Sequence, residues 1–455
     1  MKKMLWAKVK LAAVVGTVLT VGGGGGALAV RLAAAERATP PVILPATAAP
    51  AKAERKGPLA RLPSAPGPHL EKVKALGDNQ WVNLGSPAAD PNWGKAPGRS
   101  WGAKMPFASD LRGAFLTGEG PHGFIKPDGY LMDDLWFYDI NAHRWICVYP
   151  GMEAKNFTQR VKDKKLKIDD NGLLINKDGE PLPQHTMIHA YASVTYDPDT
   201  GRFAWMFGGS GGDYLNGLDS KGGTEGLNLL RAQPGKWNDP SKSYSPWFYD
   251  TVAGKFDCYV LAEKGPGVRA EFGSTMLYID SRKQYFLPPQ LFFDPAARKW
   301  ISSRAKGPQP TGIDHSSCYD PKRDRVYMGG GGYNGVTKPV DNFFIYDVKT
   351  ATWTKANPTG KFPLNFTSNG AFFNYDSVND AVVLMKDWGK EIYVYNPETN
   401  AWAEPLTTPK GLGYDAGTGN GFYDPELNAF FCHFAGDGVP NGTMWAYRYK
   451  KAVAK

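Results

Sequence analysis

Five times between residues 138 and 402 the chain places an aromatic residue before Asp or Asn and then, after five further residues, a Trp or Phe. The segments are Tyr138-Asp139 to Trp145, Tyr249-Asp250 to Phe256, Phe293-Asp294 to Trp300, Tyr346-Asp347 to Trp353 and Tyr395-Asn396 to Trp402. Chance placement gives about one such match or fewer, so five in order are a repeat. The pattern reads as a β-hairpin. An aromatic strand ends, Asp or Asn opens a turn by bonding its own backbone, and the Trp lies on the returning strand.

A second hairpin precedes most of these, at Tyr196-Asp197, Tyr319-Asp320, Tyr375-Asp376 and Tyr423-Asp424, with the variant Tyr278-Ile279-Asp280. Two hairpins per unit make a four-stranded antiparallel sheet with two apolar faces. Such a sheet must stack on copies of itself, and radial stacking closes into a propeller. With Gly 53, Pro 36, Trp 14, Tyr 22 and Phe 23, the composition favours short strands and tight turns, and the class is all-β.

The repeat resembles that of the kelch-repeat β-propellers, whose signature joins a strand ending in Gly-Gly to a later Tyr and Trp. Gly208-Gly209 and Gly329-Gly330 fit that signature, and the resemblance covers residues 80–450. The diglycine is altered at Thr117-Gly118, Lys386-Asp387 and Ala435-Gly436, and Pro288-Pro289 replaces it with a short connection. Counting units gives six blades. The last, Tyr414 to Tyr449, has three strands, and the lone strand Trp81–Gly85 completes it, closing the ring by strand pairing. The expected organisation is residues 1–35 as signal peptide or membrane anchor, 36–78 as a disordered Ala/Pro-rich linker, 79–450 as the six-bladed kelch-type propeller and 451–455 as a tail. Insertions at 152–186 and 213–245 interrupt the early blades, and Asn171-Gly172 with Asp178-Gly179 predicts a small extra hairpin in the first.

Met1–Lys10 carries four lysines, and Leu11–Val30 is an uncharged stretch of 20 residues, long enough to form a hydrophobic helix across a bilayer. Ala33, Ala34 and Ala35 equally suit cleavage as a signal peptide. Either way the propeller is expected outside the cytoplasm, periplasmic or at the cell surface. Residues 1–80 hold 12 of the 53 basic residues against 4 of the 44 acidic ones. The remainder is nearly balanced, which leaves no basic surplus on the folded domain for nucleic acid.

Cys147, Cys258, Cys318 and Cys432 fall on different blades or strand positions and are expected as free thiols, with no disulfide. The glycine clusters lack a following helix and a Lys-Ser/Thr, and the Asp-Gly turns lack alternating carboxylates, so neither phosphate nor calcium binding is expected. No metal or cofactor is expected. A galactose oxidase-like copper site needs two Tyr and two His converging with a Cys-linked Tyr, and no Cys accompanies His189 or His315 in the repeat.

The resemblance implies that each blade's first strand lines the channel, so the residues that precede it ring one mouth. His189, Asp314, His315 and Asp415 are the binding candidates there, and Arg269 with Glu271, two apart on one side of a strand, is the candidate acid/base pair. Kelch propellers are most often interaction scaffolds. The expectation is a non-catalytic, monomeric propeller binding a protein or glycan at one face. The alternative is a sugar mutarotase or epimerase-like enzyme using Arg269 and Glu271.

Overall fold

The structure is a computed structural model that describes residues 54–99, 104–118, 129–183, 192–206, 222–233, 242–263, 275–310, 313–333, 342–363, 371–386, 390–408, 418–436 and 438–452. The hydrophobic segment 11–30 lies outside these. Among the described residues, no helix is long and apolar enough to cross a membrane.

The hairpins have one recurring geometry. The residue five positions after the aromatic has a left-handed backbone, as at His143 (φ 50°), Arg298 (48°), Ala351 (51°), Asn400 (50°), Asp324 (54°) and Asn428 (47°). This is the tight turn plus left-handed residue that lets two twisted strands return on themselves. The Asp or Asn caps that turn: Asn396 Oδ1 accepts the Glu398 amide at 2.8 Å, and Asp320 Oδ1 accepts the Lys322 amide at 2.9 Å. The repeated Tyr-Asp pairs are therefore architectural.

Paired hairpins build the blades. Blade 1 comprises Phe107–Ala108, Gly113–Leu116, Leu135–Asp139 and Arg144–Tyr149, and blade 2 Val194–Asp197, Arg202–Trp205, Trp247–Asp250 and Lys255–Asp257. Blade 3 comprises Leu277–Ile279, Gln284–Leu287, Leu291–Asp294 and Lys299–Ser302, and blade 4 Ile313–Asp320, Arg325–Tyr333, Phe343–Asp347 and Thr352–Lys355. Blade 5 is built on Phe372–Asp376, Ala381–Lys386, Glu391–Asn396 and Ala401–Trp402. Blade 6 takes Thr418–Asp424, Ala429–Ala435 and Thr443–Arg448, and its fourth strand is Gln80–Gly85, antiparallel to the third with Gln80 opposite Arg448. The early strand closes the ring, as the sequence predicts.

Each first strand touches the first strands of both neighbouring blades, in cyclic order. Between successive blades lie separate apolar cores, such as Phe115, Tyr196, Phe203 and Trp205 between blades 1 and 2, and Phe286, Tyr346 and Trp353 between blades 3 and 4. Each fully buried side chain of this size contributes about 1.5–3 kcal/mol. A polar belt crosses the same seams at the turns. Tyr196 donates to Asp110 at 2.7 Å, Tyr285 to Asp197 at 3.0 Å, and Tyr423 to Asp376 at 2.7 Å. Arg112 forks onto Asp424 at 3.0 and 2.7 Å, and Arg323 onto Asp380 at 2.6 and 2.7 Å.

The strand order gives the ring two unlike faces. Both hairpins of every blade turn at one face. The second and fourth strands end, and the first and third begin, at the other. We call these the turn face and the loop face. After an outer strand, the connecting chain runs alongside the next blade's outer strand, at Ala88 beside Arg144, Lys306 beside Thr352, and Thr359–Gly360 beside Ala401–Trp402. This covers edges that would otherwise be open to pairing.

The sequence reading of residues 36–78 as linker is corrected over 54–78. This stretch is an ordered strap along the turns of blades 2, 1 and 6, with a short helix α1 (His69–Lys74). Leu59, Leu62, Leu70, Val73 and Leu76 are buried. Ser64 donates to Asp139 at 2.7 Å, the Lys56 amide to Val252 O at 2.9 Å, and Arg448 Nη1 to Lys74 O at 3.1 Å. Its apolar residues are too few and too short-spaced for a periodic signal, and their partners lie far along the chain.

The predicted hairpin of the first insertion is Leu166–Ile168 with Leu174–Asn176. The two insertions also meet. Helix α2 (Phe157–Lys162) of the first packs on α3 (Thr224–Arg231) of the second, sharing a core of Leu131, Met152, Phe157, Val161, Leu227 and Leu230. The result is an accessory lobe that rises from the loop face.

Candidate functional site

His189, Arg269, Glu271 and Asp415 lie outside the described residues. Asp314 is in the first strand of blade 4, with its side chain likewise outside the description. His315, the next residue, is 4% exposed and pairs with Gly330 across the hairpin. A Cβ on Gly331 would approach its ring to 2.4 Å, so His315 packs into the wall. The described residues therefore bring none of the six candidates together. All four cysteines are buried free thiols. Among the described residues, no His/Cys/Asp/Glu group has metal-ligating geometry.

The loop side of the seam between blades 6 and 1 holds a buried polar cluster that the sequence reading missed. Arg99 and Asp134 are fully buried, with Arg99 Nη2 donating to Asp134 Oδ1 at 2.6 Å. Trp136 Nε1 donates to Asp134 Oδ2 at 2.7 Å, Thr117 Oγ1 to Asp134 O at 2.8 Å, and Asn420 Nδ2 to Arg99 O at 3.1 Å. These bonds fix the connector that leads from the closing strand to the axis. Beside them, His433 is fully buried with neither ring nitrogen hydrogen-bonded. Burial, then the Arg99 charge, pushes its pKa down to about 3.

At the turn face the first strands surround an axial cavity of about 380 Å³. Every blade contributes: Phe107, Thr195, Leu277, Ser317, Phe373 and Phe422 line it in ring order. Short bonds between neighbouring inner strands hold the wall. Thr275 Oγ1 and Ser317 Oγ lie 2.5 Å apart, Thr195 Oγ1 accepts the Tyr278 amide at 3.0 Å, and Ser316 Oγ accepts the Phe373 amide at 3.2 Å.

Lys104 lines this cavity. It lies just ahead of blade 1's first strand, its backbone bridging to Gly421 of blade 6, and its Nζ donates to Met276 O beside blade 3 at 2.9 Å. The side chain thus crosses between non-adjacent blades. It keeps intermediate exposure through the cavity, yet the surrounding protein lowers its pKa to about 7 by desolvation, with Cys318 opposing. No sequence motif marks it. The segment Lys104–Phe107 also begins a first hairpin that lacks the aromatic-Asp pair, since Ala108 follows Phe107.

The sequence profile of the Kelch motif matches residues 331–360, which cover the end of one blade 4 hairpin and the next. No curated protein matches the chain. Among solved structures, a luciferin-regenerating enzyme is similar over 77% of this chain and 92% of its own, at 7% identity and a TM-score of 0.38, a likeness too low to bear on activity.

Proposed function

We propose that this chain, a six-bladed kelch-repeat propeller, works as a binding scaffold outside the cytoplasm, holding a protein or glycan partner against its loop face. The observation that carries the reading is the asymmetry of the ring. The turn face is rimmed by short capped hairpins, whereas the loop face carries, among the described residues, the lobe of α2 and α3. Long connections on a rigid frame are where proteins of this shape place recognition.

The basic Met1–Lys10 and uncharged Leu11–Val30 support export or anchoring. The described chain begins at the turn face, where Lys56 bonds Val252. The reading is tested by crosslinking from the two faces. A photoreactive residue at Leu229 of α3, 39% exposed, is expected to capture the partner, and one at Val378 in a blade 5 turn, also 39% exposed, is not.

A further inference from the structure

The axial cavity at the turn face plays no part in that scaffold role. Among the described residues it holds an ammonium without a counter-charge. Among the described residues lining it there is no Asp or Glu, and the one hydrogen bond of Lys104 goes to a neutral carbonyl, Met276 O, at 2.9 Å. The titratable groups around it are Cys318 and the tyrosines 196, 278, 319, 375 and 423, all pushed up by burial and so neutral at pH 7. A lone cation in a low-dielectric site is stabilised most by an anion that brings its own charge. The remaining wall is chiefly aromatic and aliphatic, with Phe107, Leu277, Phe373 and Phe422 drawn from four blades.

We propose that this cavity is a binding site for a small apolar monocarboxylate, its carboxylate paired with the Lys104 ammonium and its hydrocarbon part against the inner-strand aromatics. The volume of about 380 Å³ suits a molecule the size of a substituted benzoate. The inner-strand bonds that frame it pre-form the wall, which limits the ordering cost of binding. Lys104 is a binding residue here, and no chemical step is assigned to it.

The probes are benzoate, phenylacetate and cinnamate, with benzamide as the neutral match for benzoate, titrated calorimetrically into the full chain at pH 6.5. At least one carboxylate is expected to bind. Its affinity is expected to fall at least tenfold in Lys104→Met, and at least threefold in the unaltered protein at pH 8.5, where the ammonium has lost its proton. Benzamide is expected to bind at least tenfold more weakly than benzoate. Should Lys104→Met fail to fold, Lys104→Gln takes its place. The ¹³C resonance of reductively methylated Lys104, expected to move on carboxylate addition, gives a readout that needs no variant. The proposal is overturned if no carboxylate binds, if binding survives loss of the lysine, if benzamide matches benzoate, or if the methyl resonance stays still. Partner capture at the loop face is a separate outcome and is unaffected by any of these.

Discussion

Gly307 and Gly360 sit where the connecting chain crosses the next blade's outer strand. Both have positive φ, 80° and 84°, and an added Cβ would fall 2.1 Å from Trp353 O and 1.9 Å from Trp402 O. Gly94 and Gly179 share the positive φ, 79° and 81°, but have nothing within 4 Å. Backbone strain alone costs about 1–2 kcal/mol for alanine, and the clash adds to it. Gly307→Ala and Gly360→Ala are thus expected to destabilise by about 3 kcal/mol or more, and Gly94→Ala and Gly179→Ala by about 1 kcal/mol. Urea midpoints compare them, and equal losses would remove the close-approach argument. His433 gives a second residue-level expectation. Its folded pKa of about 3 lies below the ordinary 6.5, so the unfolded chain binds the extra proton between those values. Its contribution is therefore complete above pH 6.5 and is lost as pH falls towards 3, at about 1.4 kcal/mol per unit. His433→Leu is expected to flatten the stability curve between pH 4 and 6 by one proton's worth and to leave stability at pH 7.5 no lower. An unchanged slope in denaturation from pH 4 to 6 would count against this assignment.

At the scale of elements, the strap shows what a repeat hides. Its docking depends on uncharged imidazoles. His69 stacks on His143 with centroids 4.9 Å apart and donates to Ile140 O at 2.7 Å, and burial lowers both pKa values, that of His143 to about 4. With both folded values below 6.5, docking is fully stabilised above that pH and weakens as pH falls. Amide exchange over residues 57–76 is expected to be faster at pH 5 than at pH 7.5, after correction for intrinsic rates, relative to the strands of blade 4. A chain starting at Gly77 is expected to melt lower than one starting at Glu54, by on the order of 5 °C, because it loses five buried aliphatic side chains. An identical melting temperature would mean that the strap contributes nothing. The hairpins were legible because one aromatic, one Asp and one Trp each had a local job: ending a strand, capping a turn and filling an interblade core. The strap and α2 against α3 were illegible because their contacts join distant segments. Lys104 was illegible because a single lysine before an atypical hairpin has no pattern; only ring closure brings it to the axis.

The propeller is a ring in which sequence repetition becomes six similar seams, and what sets its parts apart is what breaks that repetition. Closure by Gln80–Gly85 ties the start of the domain to its last blade, so the ring behaves as one frame. The breaks fall on the loop face as a lobe, on the rim of the turn face as a strap, and on the axis as Lys104. Of the site residues expected from the sequence, only His315 is placed in full, inside the wall of blade 4, and Arg269 and Glu271, on which the mutarotase-like alternative rests, lie outside the described residues. The central claim, that recognition belongs to the loop face, is tested most directly by photocrosslinking at Leu229 and Val378 in otherwise identical full-length chains, against a native extract and against a glycan panel bearing an affinity tag. The account predicts a discrete adduct from Leu229, competed by excess unlabelled protein, and none from Val378. An adduct from Val378 alone, or equal adducts from both, would contradict it.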